Sequence, residues 1–474
     1  MPATKPPGLH FVVSTDIGKP DPNLRKFIRS HVMQGKNRGK THPHRARKRK
    51  GVQDASPNSP SHPESDASLL PVIALSQFGS AVSGISFPDG VEPREVEVVL
   101  RFSPIAKRVL FALESCILFE RRAEDWVAPL VADAAFLHTM IFMAQYYFDT
   151  VVPGHSRSPQ LSQKALPHFL RTVKLLRDRF DHGDDQARLS FPTAAAIMGL
   201  AGHAHMTGDS KSARNHISGL SKIARLKGGV AAMRCNTKLF VDILRADLGI
   251  ALHSGGKPVF FNDAQFPEPF LPYPDLAPLL NLQTPARWYP TRHSLASHLA
   301  SPDASLAQAW RALSEFSAVI NFAADSGQLI TTDHLLDTMG SAMYRLLDMQ
   351  GGFAAGSSDE VVRLGLLAFA SSTFLQWKYL GGSYAHLSAA LREALARVTV
   401  LQLPPKVVVW LVMVGAASVF GEADDGWLRP MLLLNIRLCD VCSWSEMRDM
   451  LDSLMWIGML YDKAGKRLYD SIVS

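Results

Sequence analysis

The chain has 474 residues, 47% of them hydrophobic and 20% charged, with a formal net charge of +7. That balance excludes disorder over most of the length, because a disordered chain lacks the apolar side chains needed to offset its entropy. Four cysteines, Cys116, Cys235, Cys439 and Cys442, are too few for a secreted disulfide framework and fit a reducing compartment.

The charge is divided unevenly. Residues 1–50 hold thirteen Lys and Arg against Asp16 and Asp21, a local +11, which leaves residues 51–474 at −4. A basic tail on a slightly acidic body points to a polyanion or a transport receptor as the partner of the tail. The opening residues lack an unbroken apolar run with a small-residue cleavage site, so export is not expected.

Asp21-Pro22 is a helix-start pair and predicts a short helix over 22–33, with Leu24, Phe27, Ile28 and Val32 on one face. Residues 34–68 combine Gly, Pro, Ser, His and cations with almost no large apolar side chain, and they are expected to be disordered. Within them Lys36, Arg38, Lys40, Arg45, Arg47, Lys48, Arg49 and Lys50 offer flexible positive charge to an import receptor or to nucleic-acid phosphates. A merely solvated tail is the plain alternative. Gly35 to Thr41 ends in Gly-Lys-Thr but has three residues between its glycines where a phosphate loop needs four.

The arm therefore covers 1–68, a linker or irregular segment 69–102, and an all-α domain 103–474. In the domain, Leu166, Phe169, Leu170, Val173, Leu176 and Phe180 recur at helical spacing and predict an amphipathic helix over 165–180. An apolar segment near 189–207, a turn at Gly208-Asp209 and a second helix ending at Lys227-Gly228-Gly229 predict a helical hairpin. Nine prolines between Pro258 and Pro302 forbid long helices and predict a loop over 254–304. Helical periodicity then covers 305–350, 360–400 and 405–472, with glycine-rich breaks around 351–358. The stretch Val407–Phe420 is too short to span a bilayer, which needs about 20 residues, and reads as a buried core helix.

No constellation supports catalysis or metal binding. Cys439 and Cys442 form half of a zinc site at most and read as partly buried thiols at a helix end. His203 and His205 diverge by about 200° on a helix, so one metal cannot take both from one face. No cofactor, metal or catalytic residue is assigned, and the chain is not expected to be an enzyme.

Several segments resemble a fungal family of transcription-factor-like proteins with an all-helical regulatory domain. They are Phe11-Val12-Val13 with Ile28-Arg29-Ser30-His31-Val32-Met33 and the basic run; His168-Phe169-Leu170 through Arg179; the hairpin to Gly228-Gly229; Leu244 to Leu248; and, near the C-terminus, Phe420-Gly421-Glu422, Trp427, Trp444 and Trp456-Ile457. The motif Ile28–Met33 is similar to that of members without a zinc cluster. The resemblance implies a nuclear regulator of RNA polymerase II transcription whose helical domain binds a partner protein or an effector. A helical interaction scaffold outside transcription is the alternative. Many relatives read DNA through a six-cysteine zinc cluster, which has no counterpart in the first hundred residues, so DNA contact is expected to be nonspecific and carried by the arm.

Overall fold

A computed structural model describes residues 85–474 apart from 111, 114, 119–127, 152–160, 261–271, 281–293, 381, 399–401 and 474. The basic arm, the expected helix 22–33 and the motif Ile28–Met33 lie outside the described residues. What is described is all-α, as the periodicity predicts.

Helix α1 spans Pro93–Leu110 and so begins inside the segment read as a linker. Pro93 takes the first helical position, and Glu95 accepts a hydrogen bond from the Glu92 backbone N–H at 2.8 Å, which satisfies a donor the helix cannot. Valines alternate with acids over 95–98 and hide the helical period. Val96 and Val99 are nevertheless buried, and they pack with Phe87 and Val91 against Phe136, Leu137 and Ile141 in a small core of their own.

Helix α2 (Ala134–Thr150) is started by Asp133, whose carboxylate accepts from Phe136 N at 2.9 Å. Helix α3 (Ala165–His182) packs along α2. Its existence follows the sequence, but its buried face does not. Ala165, His168, Thr172 and Leu176 are buried, while Leu166, Leu170 and Phe180 are exposed. The face is turned because α2 presents His138 and Thr139, and the polar side chains of α3 find partners there.

Helices α4 (Phe191–Met206) and α5 (Ser210–Leu226) form the expected hairpin. Gly208 turns with φ 82°, and Asp209 caps α5 by accepting from Ser212 N at 3.0 Å. Past α5, Gly228 and Gly229 adopt φ 102° and 99°, and Gly229 N donates to Ala224 O at 2.8 Å.

Helix α6 (Thr237–Ser254) is buried almost throughout. Among the described residues of 254–304 there are only short turns, such as Ala277–Leu279 and Leu295–Ser297. The helical stretch expected at 305–350 divides into α7 (Ala304–Ser326) and α8 (Thr332–Asp348), because Gly327 ends α7 in the left-handed conformation. Between them Ile330–Thr331 (β2) pairs in parallel with Ile117–Leu118 (β1), a two-residue bridge.

Helix α9 (Ser358–Ala370) follows the glycine-rich break and is capped by Ser357. Then come α10 (Ala385–Arg397), α11 (Pro405–Ser418), α12 (Asp425–Leu438), α13 (Trp444–Asp452) and α14 (Gly458–Val473). Helix α11 is the expected core helix, buried without interruption from Val407 to Gly415. Among the described residues no helix is long and apolar enough to cross a membrane. The large core joins α6, α9 and α11 and is filled by Trp310, Trp410, Phe316, Phe369 and Phe374.

Candidate effector cavity

The feature of α9 that matters is how it ends. Ser371, Ser372 and Thr373 follow one another, and each hydroxyl donates to a carbonyl one turn back: Ser371 to Ala368 O (2.8 Å), Ser372 to Phe369 O (2.9 Å) and Thr373 to Phe369 O (2.9 Å). Such back-bonding competes with the helix's own N–H groups, and the last turn, Ser371–Leu375, widens to a π-turn. The next residue, Gln376, is left-handed at φ 57°, an uncommon place for a side chain with a Cβ. Its N–H closes the turn on Ser371 O at 2.9 Å.

Gln376 is only 3% exposed. Its amide nitrogen points at Thr373 O, 3.4 Å away, while its Oε1 is buried without a hydrogen-bond partner. The Thr373 carbonyl fixes the amide orientation, since the opposite assignment would face two acceptors. A buried unpaired acceptor costs about 1–3 kcal/mol, so a segment that combines it with a left-handed residue and a π-turn is a candidate for function.

Gln376 helps line a cavity of about 270 Å³ at the meeting of four elements. Arg108, from the end of α1, is exposed and has no carboxylate partner among the described residues. Ala417 comes from α11 and Met459, Leu460 and Tyr461 from α14. The Tyr461 hydroxyl meets Ser372 Oγ at 2.6 Å and Thr373 Oγ1 at 3.1 Å, so α14 is tied to the π-turn. Cys116 Sγ donates to Met459 Sδ at 3.6 Å behind the wall, and burial pushes its thiol pKa up. Among the described residues the lining holds no carboxylate, imidazole or thiol. Its chemistry is that of holding a molecule, through one cation and apolar sides.

Two other polar centres are buried. Asp247 on α6 accepts from Val259 N (2.7 Å), Phe260 N (3.0 Å) and Tyr344 Oη (2.9 Å). It anchors the start of the proline-rich segment to the core. Burial pushes its carboxyl pKa up against those three bonds. Arg245, two residues before it on α6, lies over the Phe374 ring of the π-turn at 5.2 Å.

The second centre joins the N-terminal segment to α2 and α3. His138 Nδ1 and His168 Nδ1 are 2.7 Å apart; His138 Nε2 lies 3.0 Å from Asp89 Oδ2 and His168 Nε2 lies 3.5 Å from Glu95 Oε1. Bonding to Asp89 places the proton of His138 on Nε2, so its Nδ1 accepts from His168 Nδ1–H. Arg171 donates twice to Asp89 and, with His138, holds that carboxyl at about 2. Burial lowers both histidines, and for His168 the neighbouring His138 adds to the effect.

The basic residues Lys36 to Lys50 lie outside the described residues, so they are not placed against the cavity. Cys439 is half-buried at the end of α12 as expected, whereas Cys442 is exposed. His203 and His205 diverge: His203 stands against Phe142, Tyr146 and Phe169, and His205 against His253 and Trp377. Among the described residues no group of side chains could hold a metal ion. Sequence reasoning passed over Gln376, for which the Ser-Ser-Thr run was the available signal, and the pair His138–His168, which no spacing rule connects. Comparison with known protein families, curated proteins and solved structures finds no match for this chain.

Proposed function

We propose that this chain is a nuclear regulator of RNA polymerase II transcription whose helical body is an effector- or partner-binding module. The observation that carries the effector part is the cavity between the end of α1, the π-turn, α11 and α14, with Arg108, Gln376 and Tyr461 on its wall. The transcriptional part rests on the resemblance of Ile28–Met33 and the helical segments to regulators of that kind, and on the charge of the arm. In this reading Arg45, Arg47, Lys48, Arg49 and Lys50, with Lys36, Arg38 and Lys40, bind an import receptor and make nonspecific phosphate contacts, while transcriptional partner proteins dock on the body. The role asked of the body is non-catalytic.

The test is chromatin occupancy of the tagged chain in its native cells, compared with a variant neutralised between Lys36 and Lys50. Enrichment at promoters that falls in the variant supports the reading. Absence of enrichment together with exclusion from the nucleus would reject it.

A scaffold acting outside transcription is favoured by one observation, the row Leu166, Leu170 and Phe180 left exposed on α3. A stable co-purifying protein that Leu170→Asp releases, without promoter enrichment, would establish that second reading.

A further inference from the structure

We infer that the outer face of α5 is a docking surface for the phosphate backbone of duplex DNA, contacted by Lys211, Arg214, Lys222 and Arg225 without readout of base sequence. This rests on the regulator reading and adds a second, folded contact to that of the arm.

Helix α5 has 17 residues, among them these four cations and no Asp or Glu. Among the described helices it alone joins several cations to no carboxylate. Residues 51–474 together carry −4, so the excess on α5 runs against its surroundings. It also works against the helix: Lys211 stands in the first turn, where the dipole disfavours a cation, and like charges three residues apart repel. A face kept only for solubility would mix signs, as α14 does where Lys466 meets Asp470 at 2.6 Å.

Placement turns the charge into a surface. At 3.6 residues per turn, Lys211, Arg214, Asn215, Ser218, Lys222 and Arg225 fall within about 100° of one another around the axis. All of them but the partly exposed Ser218 are exposed. The opposite face, with Ala213, Ile217, Leu220 and Ala224, is buried, and α4 and α6 pack against the helix, so the stripe is held rigidly. Arg214 also donates to Lys257 O at 2.8 Å, and exposed Lys257 adds a cation at that end.

The spacing favours a DNA duplex. The cations form two pairs, Lys211 with Arg214 and Lys222 with Arg225, whose centres are about 16 Å apart along the axis. Between them lie the short side chains of Asn215 and Ser218 and Gly219, where an added Cβ would meet nothing within 4 Å. Two rows of phosphates flank the major groove of DNA, about 12 Å wide, a separation that long Lys and Arg side chains span. Duplex RNA has a deep, narrow major groove and does not match. Helix α5 has no Phe, Tyr or Trp, which disfavours single strands, whose binding relies on base stacking.

The test is binding of a labelled mixed-sequence DNA duplex by the purified full chain, read by fluorescence anisotropy over a range of salt. Lys211→Gln and Lys222→Gln are combined, one from each pair, in the intact chain and in a chain neutralised between Lys36 and Lys50. Each phosphate contact contributes about 0.9 to the slope of log affinity against log salt, so the slope is expected to become shallower by about 1.8 in both backgrounds. Lys211→Arg with Lys222→Arg, which keeps the charge, should leave the slope unchanged.

The inference is overturned if the slope does not respond in the arm-neutralised chain, or if that chain fails to bind the duplex even at low salt. It is also overturned if poly-glutamate displaces the duplex at equal charge concentration, which would mark an acidic polypeptide as the partner. Promoter occupancy with an unresponsive slope would reject this surface and leave the regulator reading in place. A responsive slope without occupancy would do the reverse.

Discussion

Helices α9 and α11 lie side by side in the core, both buried over most of their length, yet they end differently. In α11 the polar groups are served: Trp410 Nε1 donates to Met455 O at 2.6 Å, Ser418 Oγ returns to Val414 O at 2.6 Å, and Val419 and Phe420 N–H groups close on Gly415 O at 2.8 Å. Gly415 permits this ending, since a Cβ there would come within 2.3 Å of the Phe420 ring. Helix α9 is diverted by three successive hydroxyl residues into a π-turn, a left-handed Gln376 and an unused acceptor. Helix α11 ends as its packing dictates. Helix α9 keeps a local cost of about 1–3 kcal/mol that packing does not require, at a residue that helps line a cavity.

The largest expected effect belongs to the packed helix. Trp410→Ala should destabilise the domain by about 3–5 kcal/mol, because it empties a fully buried site, breaks the edge contact with Trp310 and orphans Met455 O. Denaturant unfolding reads this directly, and a loss under about 1 kcal/mol would show that α11 is not the packed element described.

Asp247→Ala should follow at about 3 kcal/mol, since Val259 N, Phe260 N and Tyr344 Oη would all lose their acceptor. Increased proteolysis in the proline-rich segment 254–304 is expected with it. Retained resistance would contradict the anchoring role.

A smaller effect is expected from pH. Burial, with His253 beside it, depresses His205 to about 4, and His138, His168 and His203 are also lowered by burial. The unfolded chain, with an ordinary imidazole near 6.5, therefore binds more protons than the folded chain below that value. Stability is fully present above about 6.5 and is lost as pH falls toward 4, by about 2 kcal/mol between pH 7 and pH 5 from His205 alone. A flat stability profile across that interval would mean these rings titrate freely.

The sequence made the elements legible where period and punctuation agree, as in the hairpin α4–α5 with Gly208, Asp209, Gly228 and Gly229, and in the core helix α11. It was less informative about which face of a helix is buried. Leu166, Leu170 and Phe180 outline an apolar stripe, but α3 buries His168 and Thr172 instead, because hydrogen bonds to His138 and Thr139 on α2 remove the penalty of burying them. Such bonds join residues about thirty positions apart, and no local pattern records them. Helix α1 was obscured by its alternating valines and acids. Gln376 was hidden for a related reason: a serine-rich helix end reads as a plain terminus, and the orphaned acceptor exists only once α1, α11 and α14 close around it.

The most direct test of the claim that Gln376 is kept at a cost is the unfolding free energy of Gln376→Met, with the intact chain measured alongside. Removing the orphaned acceptor while keeping the volume and the left-handed backbone is expected to leave stability unchanged or raise it by about 1 kcal/mol. A loss of about 2 kcal/mol or more would mean that the amide is a satisfied part of the core.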